Sequence, residues 1–308
     1  MMKKETSMTS CRLCPRSCGV NRSNGQKGYC GVDDRILIAR AAPHMWEEPC
    51  ISGTKGSGAV FFCGCSLRCV YCQNREISRG GGGKAVTVPV LAGIFLHLQE
   101  QGVHNINLVT ASHYTPQAAE AIRLARDGGL AIPVVWNSSG YERVETLRLL
   151  EGLVDIWLPD FKYMDRQLAG ELSRAPDYPE TAAAALDEMV RQLEAAGGFC
   201  SSEDGMMRRG IIVRHLLLPG HVKQSEKAVE YLLDTYGSRI RISLMSQYTP
   251  MPAVKNDPLL SRRVTKREYE RLIRFATDHG LEDGFIQERG VALESFIPDF
   301  DGTGAWQQ

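Results

Sequence analysis

From residue 58 onward, hydrophobic and polar positions alternate in a regular way. Short, nearly continuous apolar runs at 59–63, 106–110, 132–136, 154–158, 211–217 and 240–244 have the length and β-branched content of buried strands. Between and after them lie longer amphipathic stretches at 89–101, 116–127, 141–151, 180–196, 223–236 and 266–279. In the last of these Tyr269, Leu272, Ile273 and Ala276 fall on one face, the period of a half-buried helix. Six strand–helix repeats predict a parallel sheet with crossover helices, either doubly wound or closed toward a barrel. Upstream, 36–42 reads as one short strand, followed by the proline-bounded connector Pro43-His44-Met45-Trp46-Glu47-Glu48-Pro49-Cys50. Its His, two carboxylates and thiol have no fixed ligand spacing. They suit a lid or a catalytic donor, but a plain connector is favoured. Gly80–Gly83 reads as a tether, and beyond Gly284, through Phe296 to Gln308, there is no usable motif.

At 308 residues the chain has room for one large α/β domain and a small appendage. The divisions expected are 1–54 as a cysteine-rich region and connector, 55–250 as the core, and 251–308 as a helix and tail packed on it. With 36 basic and 36 acidic residues the net charge is zero, so no global field draws in nucleic acid or a membrane surface. The start, Met1-Met2-Lys3-Lys4, lacks an apolar segment of signal-peptide type, and no apolar run spans a bilayer: Ile211-Ile212-Val213 is broken by Arg214 and His215. A cytoplasmic location is expected.

Seven of the ten cysteines fall into two clusters. Such clustering favours metal ligation over disulfide staples. Cys11, Cys14, Cys18 and Cys30 make a set of four soft ligands among turn-forming glycines, suited to a closed zinc site or a second, electron-relay iron–sulfur cluster; spacing alone does not separate the two. Cys65-Ser66-Leu67-Arg68-Cys69-Val70-Tyr71-Cys72 carries three thiols on one loop after the first strand. Three thiolates can hold three irons of a cubane and leave the fourth open to substrate. Cys63 offers a competing register or a fourth ligand, while Cys50 and Cys200 read as ordinary thiols.

The three-then-two spacing, with Tyr71 just before the last thiol, resembles the signature of the radical S-adenosylmethionine (radical SAM) enzymes, and Cys72-Gln73-Asn74-Arg75 brings it closer to the pyruvate formate-lyase activating enzymes. The resemblance covers about 55–250 and implies a partial (β/α)6 barrel. It also implies a [4Fe-4S] cluster on Cys65, Cys69 and Cys72, reductive cleavage of S-adenosylmethionine to a 5′-deoxyadenosyl radical, and hydrogen abstraction from an unassigned substrate. An electron donor of flavodoxin or ferredoxin type is the implied partner, with a protein or a small molecule as the target. Ligands of such folds sit at the carboxyl ends of the strands. There the resemblance points to Ser112 and His113 after the second strand, with Thr110 beside them; to Asn137 and Ser139 after the third; to Asp160 and Lys162 after the fourth; to Arg214 in the fifth; and to Gln247 after the sixth, with Tyr248 lining the substrate cavity. Arg214 is expected to meet a carboxylate, either the cofactor's or Asp160. His215 is expected to face the core, and Arg68 to tune the cluster charge, receive a reductase or form a surface ion pair. Two departures stand out: the family's glycine-glycine-glutamate lacks its glutamate here, and its proline-tyrosine-histidine is replaced around Gln247 and Tyr248. The alternative function class is an iron–sulfur electron-transfer or metal-sensing protein that does not cleave the cofactor, and a third is a zinc scaffold.

Overall fold

The computed structural model describes residues 8–287 and 298–305. After a cysteine-rich loop region, the elements in order are β1 (Ile36–His44), α1 (Pro49–Ser52), β2 (Ser57–Phe62), α2 (Arg75–Ser78), β3 (Lys84–Val86), α3 (Val88–Glu100), β4 (Ile106–Val109), α4 (Thr115–Asp127), β5 (Val134–Ser138) and α5 (Val144–Leu147). There follow β6 (Ile156–Pro159), α6 (Arg166–Ser173), α7 (Tyr178–Ala195), β7 (Cys200–Ser201), β8 (Met207–Leu216), α8 (Val222–Tyr236), β9 (Arg241–Met245), α9 (Lys266–Asp278) and β10 (Gly284–Ile286).

The sheet runs β10-β9-β8-β6-β5-β4-β2-β1-β3, with β7 paired to β8 off that path. β2, β4, β5, β6, β8, β9 and β10 pair in parallel, β1 and β3 add an antiparallel flank, and β7 lies antiparallel to β8. This order decides between the two architectures left open by periodicity. A doubly wound sheet reverses its strand order at a switch point. Here the parallel strands follow one another in chain order without reversal. Right-handed crossovers then place their helices on one face, and the sheet curls into a partial barrel.

All six expected strands and their helices are present, with ends shifted by a few residues. The pattern missed α1, α2, β3, α6, β7 and β10. These elements are short or lie among charged residues, where periodicity is weak.

The main core lies between the outer helices and the strands, with Phe95, Leu108, Ile122, Trp136 and Trp157 buried in it. A smaller cluster contains Val135, Ile156, Leu158 and Ile212, the alternate strand residues that face the other way, capped by Cys50 and Ile51 of α1. The 43–50 stretch is therefore more than a connector: it plugs the barrel's inner face, and the Cys50 thiol is buried there. At the edge, the final segment ties onto β1. The Ala41 amide donates to Thr303 O, and the Gly302 amide to Ala39 O.

α9 starts with a reciprocal cap. The Thr265 hydroxyl accepts from the Glu268 amide, and the Glu268 carboxylate accepts from the Thr265 amide. The same carboxylate accepts from Arg262 and from the Gly220 amide of the β8–α8 turn. Arg262 is the main reason the Glu268 carboxyl titrates well below the usual range. Glu268→Ala is expected to cost about 1–2 kcal/mol, read as a lower thermal midpoint. Because the folded-state pKa is depressed, this contribution is present above the unfolded carboxylate pKa and fades as the pH falls through the folded one. The gap between wild type and variant should therefore shrink in acid.

Candidate active site: a three-thiol loop at the mouth of the barrel

A cavity of about 740 Å³ opens at the carboxyl ends of the parallel strands. Cys65, Cys69 and Cys72 line it together with Thr110, Asn137, Ser139, Asp160, Lys162, Arg214, Gln247 and Tyr248. The loop that carries the thiols leaves β2 through Gly64, which has φ +94°; a Cβ there would lie 2.9 Å from both Cys30 O and His113 Nε2. Glycine is what lets the chain turn between those two neighbours.

The three thiols share one electrostatic environment, each near enough to disturb another. Burial pushes the Cys65 thiol up to about 12, and burial likewise raises Cys69. Left alone, these thiols stay protonated; a bound metal is what would hold them as thiolates. The Leu67 amide already points at Cys65 Sγ (3.4 Å), and the Ser173 hydroxyl lies 2.9 Å from Cys69 Sγ. Ser173 in turn meets Tyr163 OH at 2.8 Å, and Tyr163 meets Tyr71 OH. Polar hydrogens directed at the sulfurs are the surroundings an iron–sulfur cluster needs. Cys63 does not line this cavity: its sulfur faces Gly83, where a Cβ would come within 2.4 Å of it. The donor set at the mouth is thus three soft ligands on one loop. Among the described residues no three His, Cys, Asp or Glu side chains converge as on a single ion. A cubane gives each sulfur its own iron, so its ligands need not converge, and the loop fits that group.

Opposite the thiols, Lys162 Nζ donates to Asp160 Oδ2 at 2.5 Å. Burial penalises the ammonium, but Asp160, aided by Cys69, outweighs it, so Lys162 titrates well above the ordinary lysine range. The backbone here is set by Tyr178, whose hydroxyl donates to Ser139 O and Asp160 O and accepts from the Lys162 amide. Gly140 passes beneath this point at φ +72°, where a Cβ would lie 2.3 Å from Asp160 O. The turn Asn137-Ser138-Ser139-Gly140 therefore needs its glycine for close packing. Gln247 Oε1 accepts from Gln287, a partner 40 residues away that no local pattern marks.

Three expectations are corrected. Ser112 and His113 do not reach the cavity. A 3-10 turn over Ser112–Tyr114 carries them under the sheet end, where both are buried. His113 Nε2 meets Cys63 O at 2.8 Å, and burial pushes the imidazole down to about 3. Thr110 alone of that stretch lines the cavity, held at φ +62°, a rare conformation for a β-branched residue.

Arg214, secondly, pairs neither with Asp160 nor with an open position. Its guanidinium forks onto Glu48 (2.8 and 2.6 Å) and also binds Glu47. Burial opposes its charge, but the two carboxylates outweigh that and hold it well above its ordinary value. Glu47 also accepts from Asn107 at 2.8 Å and from Asn137 at 3.4 Å, so Asn137 supports this network as well as lining the cavity. An arginine inside an apolar strand was a signal that a buried acid must exist; Glu47-Glu48 ahead of Pro49 was the available pair.

Finally, Arg68 neither stands free nor forms a surface ion pair: it donates to Tyr29 O and lies over the Tyr29 ring. His215 does face the core, 2.7 Å from Phe161 O.

Residues 59–201 match the profile of the radical SAM superfamily. That stretch, which runs from β2 to β7 and contains the three-thiol loop, is radical SAM-like. The radical SAM family implies a [4Fe-4S] cluster and S-adenosylmethionine. An uncharacterized protein of Methanocaldococcus jannaschii is 28% identical over 281 residues, which is 89% of this chain and 76% of that protein. A domain of a pyruvate-formate lyase-activating enzyme from Bacteroides vulgatus is similar in structure, with TM-score 0.40 and 17% identity over 57% of this chain and 92% of that one. The FeFe-hydrogenase maturase HydG from Carboxydothermus hydrogenoformans gives a TM-score of 0.49 at 13% identity, over 78% of this chain and 55% of the maturase. Among the described residues, no helix of this chain is long and apolar enough to cross a membrane.

Proposed function

We propose that this protein reductively cleaves S-adenosylmethionine at a [4Fe-4S] cluster held by Cys65, Cys69 and Cys72, and uses the cleavage to abstract hydrogen from a substrate, in the manner of a glycyl-radical enzyme activase. The observation that carries this reading is the meeting of three thiols of one loop, with no fourth cysteine, in a cavity edged by strand-end polar groups. When bound, the cluster and cofactor supply one-electron chemistry ending in hydrogen abstraction.

The chain's own part is to bind and orient. Asp160 and Lys162 offer a charge pair beside the thiols, where an amino and a carboxylate group of the cofactor find complements. Thr110, Ser139 and Gln247 offer short polar groups for the nucleoside portion. Tyr71 and Tyr248, with ring centroids 6.2 Å apart, wall the cavity and limit water. Glu47 and Glu48 commit Arg214, so that side chain positions the cavity wall and leaves no open cation there. The electron donor is a flavodoxin or ferredoxin type protein, and the hydrogen donor is a protein or small molecule not yet assigned. The placement of Cys63 outside the cavity counts against a fully ligated electron-transfer cluster.

Anaerobically reconstituted protein, reduced with dithionite, is expected to show a cluster signal in electron paramagnetic resonance that changes when S-adenosylmethionine is added, with release of methionine and 5′-deoxyadenosine. A signal indifferent to the cofactor, without those products, would leave the electron-transfer alternative in its place.

A further inference from the structure

Arg22 is fully buried, and its surroundings do not neutralise it. Its guanidinium donates to Asp33 O (3.1 and 2.6 Å) and to His113 O (2.5 Å), and lies 5.3 Å from the Tyr114 ring centroid. Carbonyls satisfy its hydrogens without cancelling its charge. The nearby Asp33 carboxylate is committed to Arg35 at 2.7 Å. Among the described residues Arg22 makes no carboxylate ion pair, and a lone buried charge costs several kcal/mol. Its one remaining contact is Cys11 Sγ, 3.9 Å from Nη1.

Cys11 belongs to a group. The Gly19 amide donates to Cys11 O, the Ser17 amide to Cys14 O, and the Gly31 amide to Gly28 O, so tight turns hold the cysteine-bearing segments, and Cys14 lies near enough to Cys30, Cys11 and Cys18 to feel their charge. No three of these side chains converge as on a single ion, but a cubane gives each sulfur its own iron. A Cβ on Gly28 would lie 3.3 Å from both Cys18 Sγ and Cys30 Sγ, which brackets those two sulfurs around one backbone point. Cys11, Cys14 and Cys30 are buried, Cys18 sits at the rim, and no disulfide joins them. Four thiolates on an oxidised cubane leave a centre with two negative charges.

We propose that Cys11, Cys14, Cys18 and Cys30 form a closed iron–sulfur cluster with four thiolate ligands, whose negative charge balances Arg22 and whose turns brace the catalytic cysteine loop. The bracing has visible struts. The Cys65 amide donates to Cys30 O at 3.3 Å, Arg16 Nε to Ser66 O at 2.8 Å, and Arg68 to Tyr29 O. Arg16 also stacks on Tyr29, 4.2 Å from the ring centroid. Loading draws the exposed Cys18 inward and fixes the turn that holds Tyr29 and Cys30. The bracing clause rests on the cluster assignment of the preceding section; the metal clause does not.

The test begins with anaerobically purified protein in which Cys65, Cys69 and Cys72 are all replaced by Ala. Metal analysis is expected to find about four irons per chain, with near-visible absorption. Adding Cys14→Ser and Cys30→Ser should remove them. No iron in the first protein, or iron retained in the second, overturns the centre.

Arg22→Met supplies a readout that a folding defect cannot imitate. In loaded protein the substitution strands negative charge and should lower the thermal midpoint. In the Cys14→Ser/Cys30→Ser protein it removes an unbalanced cation and should raise it. Shifts of the same sign in both overturn the charge balance. With the catalytic cysteines intact, Cys14→Ser/Cys30→Ser should reduce the iron reconstituted on them; unchanged reconstitution overturns the bracing. If even wild type takes up no catalytic iron, the cluster reading fails, while the metal count in the triple-Ala protein still stands or falls on its own.

Discussion

Cys69→Ala is expected to abolish both the near-visible iron–sulfur absorption of the catalytic loop and the cleavage of S-adenosylmethionine. Cys69 is the middle ligand, and its sulfur is the one joined to Ser173 and, through it, to Tyr163 and Tyr71. With two thiols left, two corners of a cubane lack protein ligands, and the cofactor's chelating groups have no defined iron to occupy. Loss should be complete to the detection limit, since the chemistry belongs to the bound group rather than to any side chain that could substitute. Cys63→Ala, just past the end of β2 and turned toward Gly83, is the matched control and should keep the absorption. Cleavage that survives in Cys69→Ala would show that iron is held elsewhere.

The second large effect concerns stability. Arg214→Met should destabilise the fold by about 3–5 kcal/mol, because it leaves Glu47 and Glu48 buried without their cation. Removing the acids as well should recover much of that: a buried ion pair replaced whole by apolar side chains is often near neutral. The comparison of Arg214→Met with Arg214→Met/Glu47→Gln/Glu48→Gln in denaturant unfolding therefore isolates the cost of stranded charge. The pH dependence has a defined sign. Burial raises the Glu48 pKa, but Arg214 outweighs it and holds the carboxyl below its ordinary value. Its stabilising contribution is present above the unfolded pKa and lost as pH falls through the folded one. Wild type should lose part of its advantage over Arg214→Met in acid. A constant difference across that range would exclude the ion pair as the source.

Strands and helices were legible wherever burial was periodic. The order of the sheet was not, because periodicity records which face is buried and says nothing of which strands are neighbours. The thiol loop was legible because a metal imposes spacing within a few residues. Asp160 and Lys162 were legible for a similar reason: two residues apart at a strand end, they point the same way and pair. Glu47 and Glu48 were not, since their partner is 166 residues away from Glu48 and no local pattern marks such a pair. Ser112 and His113 misled because a strand end followed by polar residues looks alike whether the next turn bends toward the cavity or under the sheet. Here the Tyr114 amide closes back on Ala111 O, and the turn goes under.

The tie between β1 and the final segment sets a condition on how this chain is made. Arg40 reaches the Asp299 carbonyl across 259 residues, beside the amide links of Ala41 and Gly302. A ribosome delivers the half of β1 that β3 leaves unpaired long before the residues that cover it. During that interval this half presents bare amides and carbonyls to any passing strand, the usual opening for misassembly between nascent chains. The last stretch of sequence thus works as a fastener, and material translated without it should be recovered as aggregate more often than as folded protein.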